Sequence, residues 1–213
     1  MINVPVLLVG DSGSGKSSTF RNLPADETVI INTERKPLPF KGFGKFKNIN
    51  VSKYKDFAKL MKELKADEKY KYVVIDSLSS LLEITNKYCE RVYTGYSIWS
   101  EYNSLVWDLL QDVKDLPQQV FITGIPEYNK DQDTPKKFVK TKGSEWKFTI
   151  EKEFAIVLHT NLVDDEEGNI TEYRLDTRPS NHTSAKSPDG MFEERYIQND
   201  ATIVVEAIEA YYE

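Results

Sequence analysis

The sequence predicts an α/β fold: a mainly parallel central sheet lies between layers of helices, and a β-hairpin extends it near the C-terminus. Three observations carry that expectation. Val6-Leu7-Leu8-Val9 is a short, β-rich apolar run that breaks at once into a glycine-rich loop and a helix start. Residues 28–32, 72–76, 119–124 and 154–159 are further runs of the same kind, apolar as strands covered on both faces are. Helical patterns separate them, and strands alternating with helices imply parallel pairing through right-handed crossovers.

The first strand leads into Gly10-Asp11-Ser12-Gly13-Ser14-Gly15-Lys16-Ser17, which fits G-x-x-x-x-G-K-[ST] in the strand–loop–helix setting that the phosphate-binding P-loop requires. Glycines let consecutive backbone N–H groups point inward at one anion, and a helix opening at residues 17–20 would add the partial positive charge of its first turn. Gly10, Asp11, Ser12, Gly13, Ser14, Gly15, Lys16, Ser17 and Ser18 are the expected contacts to the nucleotide. Lys16 would neutralise the β- and γ-phosphates, and the Ser17 hydroxyl would help hold Mg²⁺.

Residues 35–50 read as a loop rich in Pro, Gly, Lys and Phe. Phe57, Leu60, Met61 and Leu64, three or four apart, mark an amphipathic helix over 53–65. A long helical region over 78–116 is broken at Thr94-Gly95 and stopped by Pro117. Residues 127–148 read as a polar, lysine-rich loop. Residues 161–164 and 171–175 flank Glu167-Gly168-Asn169 as a hairpin, and a helix over about 201–211 closes the chain.

At 213 residues the chain is expected to be a single domain spanning 1–213, large enough to bury a sizeable core. Gly10 falls so early that no domain or targeting peptide is expected ahead of the first strand. No apolar run approaches the roughly 20 residues that cross a bilayer, so a soluble, cytoplasmic protein with no membrane partner is expected. A single cysteine, Cys89, excludes an internal disulfide and reads as a packing residue. His159 and His182 are too few and too far apart for a zinc site, and His159, ending an apolar strand, reads as a core or edge residue. The net charge of −6 argues against a uniformly basic surface.

Asp76 ends the apolar run Tyr72-Val73-Val74-Ile75 about 60 residues after Lys16, where a P-loop protein places the carboxylate that helps hold Mg²⁺. A helix-capping role is the competing reading. Many ATPases follow that Asp with a glutamate that orients the attacking water; here Ser77 follows, so the base must come from elsewhere. Glu34, just past the second strand, lies where the C-terminal ends of parallel strands converge on a ligand crevice.

The P-loop, Glu34 and Val73-Val74-Ile75-Asp76-Ser77-Leu78 together resemble the RecA-type ATPase core. Thr183-Ser184-Ala185-Lys186-Ser187-Pro188-Asp189-Gly190-Met191-Phe192 resembles phage-encoded nucleotide-binding proteins of the RecA-like single-strand-annealing group. The resemblance spans nearly the whole chain, and the P-loop is its sharpest part. It implies a three-layer RecA-like P-loop NTPase, binding ATP with Mg²⁺ through the residues above and hydrolysing it with Lys16, Glu34 and Asp76 as catalytic groups. It further implies that Lys186 reaches the γ-phosphate of a neighbouring subunit in a homo-oligomer, ring or short helix, in the host cytoplasm if phage-encoded.

RecA-type proteins bind single-stranded DNA through loops beyond the strands that flank the nucleotide. Residues 127–148 are the candidate here, with six lysines against four acidic residues and with Phe138 and Trp146 interleaved as stacking faces. Lys136, Lys137, Lys140 and Lys142 are the expected DNA contacts. Two other readings stay open: a small-molecule or nucleotide kinase, disfavoured by six scattered arginines with no basic lid, and a nucleotide-switched interaction module with negligible turnover.

Overall fold

The structure is a computed structural model that describes residues 3–129, 136–143, 145–146 and 149–212. Val6–Val9 (β1), buried at every position, sits at the centre of the sheet. On one flank it pairs in parallel with Gln119–Gly124 (β5), followed by Tyr72–Asp76 (β4), Thr28–Asn32 (β2) and Lys47–Asn50 (β3), all parallel. On the other it pairs in parallel with Ile156–Asp164 (β8), and Ile170–Asp176 (β9) and Tyr196–Gln198 (β10) then add antiparallel strands. The resulting eight-stranded sheet has the order β10-β9-β8-β1-β5-β4-β2-β3, so the expected fold class is the observed one.

Side chains alternate across this sheet, and both faces are covered. Leu7, Val9, Val29, Ile31, Val73, Ile75, Val120 and Ile122 face the helices Tyr54–Lys65 (α1), Leu78–Val92 (α2) and Ser97–Lys114 (α3). Val6, Leu8, Ile30, Val74, Phe121 and Leu158 face the helix Ala201–Tyr212 (α4) and the turn after the P-loop. Helix α1 buries the predicted Phe57, Leu60, Met61 and Leu64. Ser77 caps α2 by accepting the Ser80 N–H at 3.4 Å, which releases Asp76 from the capping role. The break between α2 and α3 contains Gly95 at φ +58°, a conformation that glycine adopts without strain.

Five expectations need correction. Ser17–Phe20 is a single 3-10 turn rather than the start of a longer helix, because Pro24 follows before another turn can form; the macrodipole contribution expected there is correspondingly reduced. The loop over 35–50 contains β3, whose Lys-Asn-Ile-Asn sequence carries no hydrophobic signal because it is the sheet edge. The loop over 127–148 contains a hairpin of Pro126–Asn129 (β6) and Lys136–Val139 (β7). Trp146, read as a stacking face, is buried in the core on the α3 side. Lys130, Asp131, Asp133 and Lys147 of that loop lie outside the described residues. Finally, the fifth strand and the first arm of the hairpin are one strand, β8, which places His159 mid-strand and buried rather than at an end.

Phe20 joins the P-loop turn to the sheet, fully buried with its ring centroid 5.7 Å from that of Phe121. Phe20→Ala should lose about 3–5 kcal/mol of stability, read as a lowered urea midpoint at unchanged slope.

Candidate nucleotide site

The P-loop leaves β1 at the C-terminal end of the parallel strands, and backbone contacts define its course. Gly10 N donates to Gly124 O at 3.1 Å, and Ser14 N donates to Asp11 O at 3.2 Å. A Cβ on Gly10 would stand 1.8 Å from Thr160 Oγ1, so only glycine lets β8 approach so closely. Gly15 has φ +90°, and a Cβ there would meet Asn199 Nδ2 at 2.6 Å and Tyr173 Cδ1 at 2.7 Å. Asn199 braces the loop: its Nδ2 donates to Gly15 O at 3.0 Å, its Oδ1 accepts the Thr19 hydroxyl, and its carbonyl accepts Arg21 Nη1 at 2.8 Å.

The Lys16 ammonium donates to Gly10 O at 2.8 Å and Asp11 O at 2.7 Å. Burial lowers its pKa, opposed by the carboxylates of Asp76, Glu34 and Asp11. Ser17 Oγ donates to Asp76 Oδ2 at 2.8 Å, and Thr123 Oγ1, from the neighbouring β5, donates to Asp76 Oδ1. Burial raises the Asp76 pKa, while the hydrogen bonds from Thr123 and Ser17 pull it down. A buried carboxylate beside a serine hydroxyl is a hard-oxygen pair that fits Mg²⁺, which takes one or two protein ligands and completes its shell with phosphate and water. Ser17 and Asp76 would hold it, and bound there it would neutralise charge on the phosphates.

Glu34 lies across from Lys16. Its Oε1 accepts the Ser77 hydroxyl at 3.0 Å, and Lys36 approaches Oε2 at 3.4 Å. Thr33 locks the same corner, donating through Oγ1 to Ser77 O at 2.9 Å and accepting Ser77 N–H at 2.8 Å. The residue that replaces the usual glutamate therefore orients Glu34. The Asp76–Ser77 peptide is cis.

Two clefts meet at the loop. One, of about 910 Å³, is lined by Gly13, Gly15, Lys16, Ser17 and Ser18 together with Arg21, Phe40, Tyr173, Gln198 and Asn199. The other, of about 460 Å³, is lined by Ser12, Gly13, Lys16 and Ser17 with Glu34, Asp76, Ser80 and Lys87. A chain of phosphates laid along Gly13–Ser17 would reach from one into the other.

The family model of the AAA domain matches residues 2–188. The chain belongs to that family. No curated protein matches it. Solved structures similar to this AAA domain include the crystal structure of the RadB recombinase, at 16% identity and a TM-score of 0.49, with 82% of this chain and 87% of that one covered.

The structure thus gathers Lys16, Ser17, Glu34 and Asp76 into one site. Lys186 is held elsewhere: its backbone bridges to Val157 in both directions at 2.8 Å, and the carboxylates facing it are Glu151 and Glu153. Lys137, expected as a DNA contact, pairs with Asp11 of the P-loop at 2.7 Å. Lys140 and Lys142 are exposed and Lys136 is half-buried. Sequence reasoning missed Thr123, Thr33, Asn199 and Tyr173. Thr123 had a signal, being a polar residue at the end of an apolar strand; Asn199 had none, because the P-loop residues it braces lie 178 to 184 positions away in the chain.

Gly15→Ala should abolish binding of a fluorescent ATP analogue while leaving far-ultraviolet circular dichroism unchanged, since the clash is confined to the loop and its brace. His159, beside Val9 on β8, gives a pH test. Burial pushes its imidazole down to about 3, aided by Lys137 and Lys136, so it stays neutral in the folded chain, whereas the unfolded chain takes up a proton below about 6.5. This contribution is complete above pH 6.5 and lost on acidification, at up to about 1.4 kcal/mol per pH unit. Between pH 7 and 5 the wild type should therefore lose about 2 kcal/mol more than His159→Gln, measured by urea unfolding.

Proposed function

We propose that this AAA domain binds and hydrolyses ATP with Mg²⁺, and that its nucleotide state governs binding of single-stranded DNA in recombination or annealing of the phage-encoded RecA-like kind. The observation that carries the reading is the convergence of Lys16, Ser17, Asp76 and Glu34 on one face of the P-loop. In this reading Lys16 binds the β- and γ-phosphates, Ser17 and Asp76 hold the metal, and Glu34, oriented by Ser77, takes a proton from the attacking water. The cleft bearing Phe40 and Tyr173 offers aromatic faces to the base.

The DNA half draws its support from the exposed Lys140 and Lys142, the half-buried Lys136, and the exposed ring of Tyr128 on the hairpin beside the site. A homo-oligomer belongs to the same proposal, with Lys186, turned away from its own P-loop group, acting at a neighbour's nucleotide.

Glu34→Gln should lower ATP turnover by about 10²-fold or more with nucleotide affinity nearly unchanged, as loss of a general base does. Lys16→Ala should lose nucleotide binding itself. A labelled single-stranded oligonucleotide should bind the wild type only with ATP, and Lys140→Glu with Lys142→Glu should weaken that binding and flatten its salt dependence, by about 0.7 in log–log slope per lysine lost. Absence of oligonucleotide binding with ATP at low salt would overturn the DNA half; ATP turnover equal to wild type in Glu34→Gln would overturn the base assignment.

A further inference from the structure

The β6–β7 hairpin is firmly rooted at its base. Val139 packs so closely on Gly124 that a Cβ there would stand 2.4 Å from Val139 Cγ2, Lys140 N donates to Ile125 O at 2.7 Å, and Val139 N donates to the buried Glu151 carboxylate. At Lys137, β7 exchanges backbone hydrogen bonds with residues 182–184: Lys137 N donates to His182 O at 2.9 Å and Ser184 N to Lys137 O at 3.2 Å. From this frame the Lys137 side chain crosses to the nucleotide site and pairs with Asp11 Oδ2 at 2.7 Å. Burial works against the Lys137 ammonium, but the Asp11 carboxylate outweighs it and raises the pKa. Tyr128, opposite Lys137 in the hairpin register, has its ring centroid 5.6 Å from the ammonium and flanks it.

Asp11 is therefore gripped twice. Its carbonyl accepts Lys16 and its carboxylate accepts Lys137, so the lysine that defines the P-loop and a lysine of the hairpin share one residue. We propose that Lys137 is a positioning residue through which occupancy of the P-loop sets how tightly the β6–β7 hairpin is held. A nucleoside triphosphate adds several negative charges beside Asp11, within the roughly 10 Å over which charges act at ordinary salt, and the half-buried Lys137 end of the pair is the less screened of the two. The pull on the Lys137 ammonium rises, and the hairpin is held more tightly with triphosphate than without. The inference depends on the nucleotide-binding half of the proposed function and is independent of DNA.

Hydrogen exchange of peptides spanning residues 136–140, with and without Mg²⁺ and a non-hydrolysable ATP analogue, tests it, with analogue binding measured on the same samples. The analogue should slow exchange in β7 several-fold in the wild type and in Lys137→Arg, which keeps the charge. In Lys137→Met the slowing should be lost, with unchanged exchange in α1 reporting an intact fold. Asp11→Asn should exchange faster than wild type in β7 before nucleotide is added. If the analogue binds and β7 exchange does not change, or slows equally in Lys137→Met, the inference is overturned and nucleotide binding stands. If the analogue does not bind the wild type, nucleotide binding falls and the inference with it.

Discussion

The site is organised around a carboxylate that is out of water. Asp76 is 7% exposed at the end of a central strand, and an ionised group in that position costs several kcal/mol unless its surroundings answer its charge. They do so from three directions: Ser17 from the P-loop, Thr123 from the adjacent strand, and the Lys16 ammonium near by. The strand order serves the same requirement, since β4 lies beside β5, whose Thr123 reaches the carboxylate, and beside β2, after which Thr33 N donates to the Asp76 carbonyl at 2.8 Å. A doubly covered parallel sheet supplies this arrangement, because the same ends of its strands all meet at one rim.

Much of this was legible from residue order alone, and the reason differs by element. Strands covered on both faces have continuous apolar middles, so β1, β2, β4 and β5 announce themselves. The edge strands β3 and β10 do not, because each is short and partly exposed at the sheet edge, with too few apolar residues in a row to form a pattern. The P-loop is readable because its backbone geometry demands glycines, and Asp76 and Glu34 because strand ends converge. Trp146 shows the opposite: a composition of lysines and aromatics is the same whether a ring points outward or into the core. The pairing of Lys137 with Asp11 was illegible for a related cause, since a lysine's partner is chosen by tertiary approach and Asp11 lies 126 positions away.

The short 3-10 turn after the loop shifts the balance of forces on an anion. With one turn in place of a long helix, backbone N–H groups of the loop and the two lysines carry more of the attraction than a helix terminus would. That makes the loop's shape more dependent on neighbouring segments, and those neighbours are β8, through Thr160, and Asn199 just after β10.

Asn199 gives this dependence an order in time. The P-loop leaves the ribosome well before the residue that braces it: Asn199, whose side chain holds Gly15 and Thr19 and whose carbonyl accepts Arg21, is made 184 positions after Gly15. The loop, whose motif is complete at Ser17, thus becomes a finished binding surface only when synthesis has passed residue 199. Nucleotide capture then reports on the maturity of the whole sheet, and a chain stalled before that point carries the motif without the site.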